Sequence, residues 1–238
     1  MPPTTVADLL VLLAREPGRP RLTWYGDGGE RVELSGAVLG NWVSKTTNLL
    51  VEEFDAGPGT RVALDLPGHW RTVVWALAVW RAGACVAAPG AAGADVVVTD
   101  SPADASGADQ VVAVALPALA RRFPDDLPPG AIDAASAVMT YGDAIGWTQP
   151  VDPASPALEG GAPRSHADLL SGPAPTAQRV LAAARPRTET AAFLLDVLAV
   201  LAGDGSVVLT SPETTAALAS DAPRRDRLVA SERITAEG

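Results

Sequence analysis

The chain is poor in the residues that most often carry chemistry. Its 238 residues include one cysteine, Cys85, and two histidines, and Lys45 is its only lysine. A single cysteine excludes an intramolecular disulfide. Since Cys85 lies in the apolar run ACVAAP, we interpret it as a small buried side chain and not as a nucleophile. Two histidines and one cysteine are too few for a typical zinc site, and we predict no metal site.

Positive charge is scarce as well, and the formal net charge is −10. A protein with this charge is repelled by nucleic-acid phosphates and by anionic lipid, so we predict no nucleic-acid partner and no membrane partner. The N-terminal run MPPTTVADLL lacks the basic and apolar regions of a signal peptide. The apolar run TVVWALAVW is shorter than the ~20 residues of a membrane span. We therefore expect a cytoplasmic protein.

Short β-branched runs alternate with helical patterns along most of the chain. This alternation predicts an α/β fold with a mostly parallel sheet flanked by helices. The strand candidates are RLTWY, RVELS, TRVALDLP, ACVAAP, ADVVVTD, DQVVAVAL, RVLAAA and SVVLTS.

The helix candidates carry recognisable start signals. Thr4 or Thr5 is placed to cap a first helix, and Ser35 to cap a longer one that ends near Phe54. Within the longer helix, we expect Val38 and Leu50 to belong to the buried stripe. Another helix is predicted over HWRTVVWALAVWRAG, and a short helical piece after Pro117.

The distribution of proline and glycine suggests how the chain is divided. Residues 151–175 are rich in Pro, Gly and Ala, as flexible connections often are. We therefore predict a first α/β subdomain over residues 1–150, a linker over residues 151–175, and a second, incomplete α/β portion over residues 176–238.

The order of these segments resembles the N-terminal part of the adenylate-forming enzymes, the AMP-binding or acyl-CoA synthetase-like superfamily. The matching stretches are ERVELSGAVLGNWVSKTTNLL, GPGTRVALDLPGHWRTVVWALAVWRAGACVAAPG, ADVVVTD and PPGAIDAASAVMTYGD. The resemblance is collinear from about Leu22 to Leu209 and implies the fold of those N-terminal subdomains. More narrowly, the chain resembles a family of short actinobacterial proteins, as its Arg-rich and Lys-poor composition also suggests.

The chain departs from that family where the phosphates of ATP would bind. The enzymes carry a loop of the form T-S-G-T-T-G-x-P-K-G, followed by a histidine-containing segment like S-H-x-N-L. Here DPASPAL and SHADLL flank only EGGAPR, residues 159–164. The loop has no lysine and no Thr-Ser-Gly cluster, and Glu159 places a negative charge at the phosphate position. Gly160 and Gly161 still offer N–H groups for an anion.

The resemblance therefore transfers no catalytic residue to this chain. The family's adenine- and ribose-binding segments and its C-terminal domain with a catalytic lysine have no counterpart in the 238 residues. We predict a truncated, non-catalytic pseudoenzyme that acts as a binding or assembly module and needs no cofactor. The alternatives are a residual or partner-assisted acyl-adenylate or acyl-CoA synthetase-like enzyme, which would use ATP or AMP and CoA, and a small-ligand sensor.

Ser165, His166 and Asp168 contain the residue types of a hydrolase triad. Their spacing does not suit one, because side chains this close in sequence do not form a Ser–His–Asp relay. We predict instead that Ser165 caps a helix, with Asp168 in its first turn. His166 and Ser165 join Gly160 and Gly161 as weak candidates for ligand contact.

Three tryptophans, Trp70, Trp75 and Trp80, lie in one predicted helix. We expect most of them in the core, with one partly exposed where the longer enzymes carry further structure. Exposed apolar surface of this kind marks an interface. The sequence therefore predicts a protein partner, with a homodimer as the simplest form.

Overall fold

The computed structural model of the protein describes residues 2–105, 107–172 and 177–238. Within these residues the strands form two sheets. The strands are β1 (Pro20–Tyr25), β2 (Arg31–Ser35), β3 (Arg61–Asp65), β4 (Cys85–Ala87), β5 (Val96–Thr99), β6 (Val111–Ala113), β7 (Ile132–Asp133), β8 (Pro156–Leu158), β9 (Arg164–Ser165), β10 (Arg179–Ala183), β11 (Ser206–Thr210) and β12 (Ala236–Glu237).

Helices flank both sheets, and the first two begin at predicted caps. The helices are α1 (Val6–Ala14), α2 (Gly36–Phe54), α3 (Trp70–Ala82), α4 (Ala134–Ala137), α5 (Thr190–Ala202), α6 (Pro212–Ser220) and α7 (Ala222–Ser231). Thr5 forms a capping box with Asp8 at the start of α1, and the Ser35 side chain accepts from the Val38 N–H at the start of α2. These contacts satisfy N–H groups that a helix leaves unpaired at its first turn.

The seven-stranded sheet has the order β7-β6-β5-β3-β4-β8-β9. The pairs from β7 to β8 are parallel, and only β9 runs antiparallel to its neighbour β8. Val62, Leu64, Val98 and Val112 from this sheet are fully buried. The predicted α/β class with a mostly parallel sheet is confirmed.

The five-stranded sheet has the order β12-β10-β11-β1-β2 and joins distant parts of the chain. In it β1 pairs in parallel with β11, with Leu22 opposite Val207, and antiparallel with β2. The first 35 residues thus share a sheet with residues beyond 178. The predicted division into subdomains at residues 150 and 175 stays a prediction. Both sheets contain strands from each side of residue 150. Residues 173–175 of the predicted linker, and residue 176 of the predicted second portion, lie outside the described residues.

Three local expectations are wrong. All three tryptophans of α3 are buried, because the helix packs against α2, α1, α5 and both sheets. Trp147, in an irregular segment, is the strongly exposed tryptophan instead, at 69%. Val38 is exposed at 40% on the outer face of α2, while Leu50 is buried as expected. The segment 117–130 contains turns but no helix, in keeping with its four prolines.

Two observations bear on membranes and on thiol chemistry. Among the described residues, no helix combines the length and the apolar character needed to cross a membrane.

Cys85 is buried, and burial raises the pKa of its thiol to about 11. Its thiol is therefore protonated near neutral pH, as expected of a packing residue and not of a nucleophile.

Candidate functional site

The parallel strands β5, β3, β4 and β8 end at the same edge of the seven-stranded sheet, which we call the carboxyl edge. The chain passes from β3 to its neighbour β4 and then crosses to β5 on the other side of β3. Strand order therefore reverses between β3 and β5. Open α/β sheets bind ligands in the crevice at such a switch point, beyond the carboxyl ends of the strands.

This crevice is filled by a side chain of the protein itself. The Arg187 guanidinium lies between Asp65, at the end of β3, and Asp100, just after β5, with an N–O distance of 2.9 Å to each carboxylate. The Thr99 hydroxyl donates to the second oxygen of Asp65 at 3.1 Å. Burial alone would lower the pKa of Arg187, but the hydrogen bonds and charges of the two aspartates outweigh it and raise that pKa.

The start of α5 covers the same edge. The Thr190 hydroxyl donates to the Leu66 carbonyl, just beyond β3, at 3.0 Å. The Gly68 N–H donates to the Arg185 carbonyl at 2.7 Å. A Cβ at Gly68 would lie 2.5 Å from the Arg185 nitrogen, so only glycine allows this approach. Residues 185–190 are therefore held closely over the ends of the central strands.

Residues 159–164, which take the place of the phosphate-binding loop in the resemblance, lie at the carboxyl edge as well. They include the connection of the β8–β9 hairpin, in which Leu158 pairs with Arg164. Arg61 binds the Glu159 carboxylate through two hydrogen bonds of 3.0 and 2.6 Å. These bonds hold the pKa of Glu159 below its ordinary value. The negative charge predicted at this position is present, and it is paired with Arg61.

Gly160 and Gly161 adopt the left-handed backbone conformation, with φ of 83° and 61°. A Cβ at Gly160 would lie 3.3 Å from the Ala88 Cβ, and one at Gly161 would lie 3.8 Å from the Ala191 Cβ. The two glycines thus lie between the end of β4 and the start of α5. Their positive φ explains why the shortened loop keeps glycine at both positions.

Ser165 and His166 lie at the other end of β8. Ser165 pairs with Pro156, the first residue of β8, and the His166 N–H donates to the Ser155 carbonyl at 3.1 Å. About four residues of strand, or roughly 13 Å, separate this position from Gly160. The four candidate residues therefore do not form one site, and their role in ligand contact stays a prediction.

The predicted helix start at Ser165 is wrong. Residues 166–170 form consecutive turns, although the expected local bonds exist. The Ser165 hydroxyl donates to the Asp168 carboxylate at 2.6 Å, and the Asp168 N–H donates back to it at 3.2 Å. The N–H groups of His166 and Ala167 are bonded to Ser155 and Pro153, and Gly172 and Pro173 follow too soon for a helix to continue.

His166 is 8% exposed, and its Nε2 atom has no hydrogen-bond partner among the described residues. Burial lowers the pKa of its imidazole, against opposing contributions from the Gly83 and Ala84 carbonyls and from Asp152. The ring is therefore neutral near pH 7. It lines a cavity of about 350 Å³ between the start of α1 and the end of α3.

Only part of these contacts could be predicted from the sequence. Asp65 and Asp100 directly follow predicted strands, and this signal could have placed them at one edge of the sheet. Their partner Arg187 lies 122 and 87 residues away in sequence, and Glu159 lies 98 residues from Arg61. In the described residues, no group of three or more His, Cys, Asp or Glu side chains is arranged to hold a metal ion.

Comparison with known proteins fits this architecture. No protein-family model matches the chain. A protein of Mycobacterium tuberculosis (strain ATCC 25618 / H37Rv) described as a TIGR03089 family protein is 35% identical over 261 residues, which cover 98% of each chain.

Two solved structures share the fold. They are an acetoacetyl-CoA synthetase from Streptomyces lividans (TM-score 0.65, 18% identity, 87% of this chain) and an acyl-CoA synthetase from Brucella canis (TM-score 0.62, 19% identity, 86% of this chain). This chain spans 38% and 46% of the length of those two proteins. The resemblance to adenylate-forming enzymes is therefore confirmed at the level of the fold.

Proposed function

This chain belongs to the TIGR03089 family, and we propose that it is a non-catalytic protein with an acyl-CoA synthetase-like fold that acts as a binding or assembly module. The observation that carries this proposal is the state of the carboxyl edge. Arg187 fills the switch point, and Arg61 engages the only charged side chain of residues 159–163.

Nucleotide phosphates need hydrogen-bond donors and positive charge that are not already engaged. Arg61 and Arg187 are committed to carboxylates. Arg164, the last residue of the loop, makes no ion pair within the described residues, and it lines a separate cavity with Leu195 and Leu198 of α5. Arg61 also donates to the Ala92 and Gly93 carbonyls, both at 2.8 Å. A triphosphate would have to displace these contacts in a protein of net charge −10. We therefore propose that the protein works without ATP, AMP or CoA as a cofactor.

Nucleotide titration of the purified protein tests this proposal directly. We expect no saturable heat in calorimetric titrations with ATP·Mg, AMP or CoA, and no ATP–pyrophosphate exchange with a panel of carboxylic acids. Exchange above the protein-free control would overturn the proposal and favour the residual or partner-assisted synthetase instead.

The variant Glu159→Gln is the matched control for these titrations. It removes the negative charge of the loop and leaves the hairpin length unchanged. We expect it to bind ATP no better than the wild type, because the phosphate-binding residues are missing. Tight ATP binding by Glu159→Gln would show that a single charge blocks an intact phosphate site.

We propose a second copy of the chain as the partner in assembly. An apolar groove of about 450 Å³ runs between α5 and strands β10 and β12, and its lining includes Val180, Phe193 and Val197. Residues 235–238 bond along β10 only as far as Leu181, so Ala182 and Ala183 have no strand partner on that side within the described residues, and both line this groove. A sheet edge beside an apolar groove is a common site of strand pairing between chains.

Sedimentation velocity over a range of protein concentrations tests the assembly. We expect a dimer that dissociates on dilution, and a shift toward monomer in the variant Ala182→Glu, which places a charge in the groove. Circular dichroism checks that the variant is folded. A monomer at all concentrations would remove the homodimer from the proposal. A cytoplasmic location and an actinobacterial source of the protein remain part of the proposal, and the mycobacterial relative supports the source alone.

A further inference from the structure

The end of the seven-stranded sheet opposite to the carboxyl edge, which we call the amino edge, carries a second candidate site. A cavity of about 350 Å³ lies there between the first turn of α1, the last turn of α3 and the turns after β9. Its wall is mostly apolar, with Val6, Trp80, Val151, Pro153 and Leu169. The lining also includes the polar residues Thr4, Thr5, Arg81 and His166.

We infer that this cavity binds a small apolar molecule with a single oxyanion head group. Its volume lies at the lower end of the range of small-molecule sites, about 300–1,000 Å³. The inference goes beyond the proposed function, because it concerns the end of the sheet opposite to residues 159–164.

Arg81 supplies the positive charge. It is only partly exposed, and burial lowers its pKa. Its one side-chain hydrogen bond within the described residues goes to the Thr148 hydroxyl at 3.3 Å. No carboxylate of the described residues lies within 4.0 Å of its guanidinium, in contrast to Arg61 and Arg187. Its place in the last turn of α3 suits the helix dipole, but this leaves most of its five N–H donors unused.

His166 adds a second polar group on the same wall. The side chain is more than nine-tenths buried, and its Nε2 atom has no hydrogen-bond partner in the described parts of the chain. The Nε2 atom itself is buried away from the cavity, so His166 contributes an edge of its ring to the wall. An oxyanion held by Arg81 would lie beside this ring, whose proton resonances would report its binding.

Nearby charge limits what the head group can be. Asp152 lies close enough to affect the imidazole of His166, and its carboxylate accepts a hydrogen bond from the Ala154 N–H at 3.0 Å. The Asp8 carboxylate, which accepts hydrogen bonds from the cavity residues Thr4 and Thr5, is a second nearby negative charge. With one guanidinium and two neighbouring carboxylates, the cavity favours a monoanion over a polyphosphate. The apolar wall favours an aliphatic body on that ligand.

The two histidines of the chain allow a direct test on the wild-type protein. His69 is buried beside Trp24 and Trp70, away from the cavity, and serves as an internal control. We would titrate hexanoate, hexanesulfonate, hexanol and ATP·Mg and follow the Hε1 proton resonance of each imidazole by NMR. We expect saturable shifts of His166 with hexanoate and hexanesulfonate, little change at His69, and weaker effects of hexanol and ATP·Mg.

The variant Arg81→Gln tests the head-group contact, and Arg122→Gln, at an exposed position outside the cavity, is its matched control. We expect hexanoate to bind Arg81→Gln about tenfold or more weakly, since a charge-assisted contact is lost, and to bind the control unchanged.

Three outcomes would each overturn the inference. They are an unshifted His166, equal binding of hexanol and hexanoate, and a response of His166 to ATP·Mg alone. Each can be measured on the wild-type protein even if Arg81→Gln does not fold. Because ATP·Mg is titrated separately, failure of this inference is distinguishable from failure of the proposed function.

Discussion

At the carboxyl edge of the seven-stranded sheet, Arg187 binds two carboxylates, and the Glu159 carboxylate is bound by Arg61, which extends from the start of β3. At the amino edge, Arg81 has no carboxylate within 4.0 Å among the described residues, and His166 Nε2 has no partner there. Ion pairs within the protein close the carboxyl edge, whereas the amino edge borders a cavity of about 350 Å³. Open α/β sheets bind ligands at the carboxyl edge, but in this chain the arginine without a carboxylate partner lies at the amino edge.

This difference in ion pairing arises from the residues that surround each arginine. Strands β3 and β5 end at residues whose carboxylates lie side by side, so a cation between them is favoured by both. The last turn of α3 is instead surrounded by apolar side chains such as Trp80 and Leu169. Burial there raises the cost of the Arg81 charge without supplying an anion.

The largest effect that would sharpen this comparison is expected for Gly68→Ala. The new Cβ would meet the Arg185 backbone at 2.5 Å and force residues 185–187 away from the carboxyl edge. We expect a loss of about 1–3 kcal/mol in the free energy of unfolding, measured by urea denaturation with tryptophan fluorescence.

The control for Gly68→Ala is Gly40→Ala in the middle of α2, where a Cβ would meet nothing within 4 Å. We expect it to stabilise the protein by about 0.5–1 kcal/mol, because alanine favours the helix. If Gly68→Ala leaves the free energy of unfolding unchanged, residues 185–190 move easily away from the carboxyl edge. The carboxyl edge would then be less firmly closed than the ion pairs indicate.

A smaller effect is expected for Arg187→Gln. The change removes the cation between Asp65 and Asp100 and leaves the two carboxylates facing each other. Since the three side chains are partly exposed, we expect a loss of only about 1 kcal/mol in unfolding free energy.

Adding Asp100→Asn to Arg187→Gln should recover part of that loss, because it removes the repulsion between the carboxylates. Arg121→Gln, at an exposed position without an ion pair in the described residues, is the control. If the double variant is no more stable than Arg187→Gln, the switch point is not held by charge pairing.

The smallest effect concerns pH and the Glu159–Arg61 pair. The pKa of Glu159 is lowered in the folded protein, so the unfolded chain binds its proton first as the pH falls. The stability from this pair is therefore present above the ordinary glutamate pKa and is lost as the pH falls through the lowered value. We expect the melting temperature of Glu159→Gln to fall less steeply than that of the wild type between about pH 5 and pH 3.

The comparison for this measurement is Glu52→Gln, on the exposed face of α2 and without an ion pair in the described residues. Its pH profile should follow that of the wild type. Parallel profiles for all three proteins would show that the Arg61 contact contributes nothing to stability, and the carboxyl edge would then be held by Arg187 and the backbone contacts of residues 185–190.

The elements of this fold were readable from local patterns. Thr5 and Ser35 cap the helices for which they were predicted, and the alternation in TRVALDLP became a buried central strand. Capping and alternation depend on residues a few positions apart, so the amino-acid order alone reports them. Where the local signal failed, as at Val38 and Ser165, contacts with distant segments decided the outcome.

The absence of the Gly-rich phosphate loop was also visible in the sequence, since it is a property of residue types and spacing. The pairing of Arg187 with Asp65 and Asp100, and the separation of His166 from Gly160, were not. The Arg187 ion pairs depend on the strand order of the sheet. The distance between His166 and Gly160 depends on the course of the β8–β9 hairpin. The sequence by itself therefore determined the elements and the absence of a Gly-rich motif of the form T-S-G-T-T-G-x-P-K-G. Only the tertiary structure decided which charges were paired and which were left open, because electrostatic pairing acts through distance in space and not along the chain.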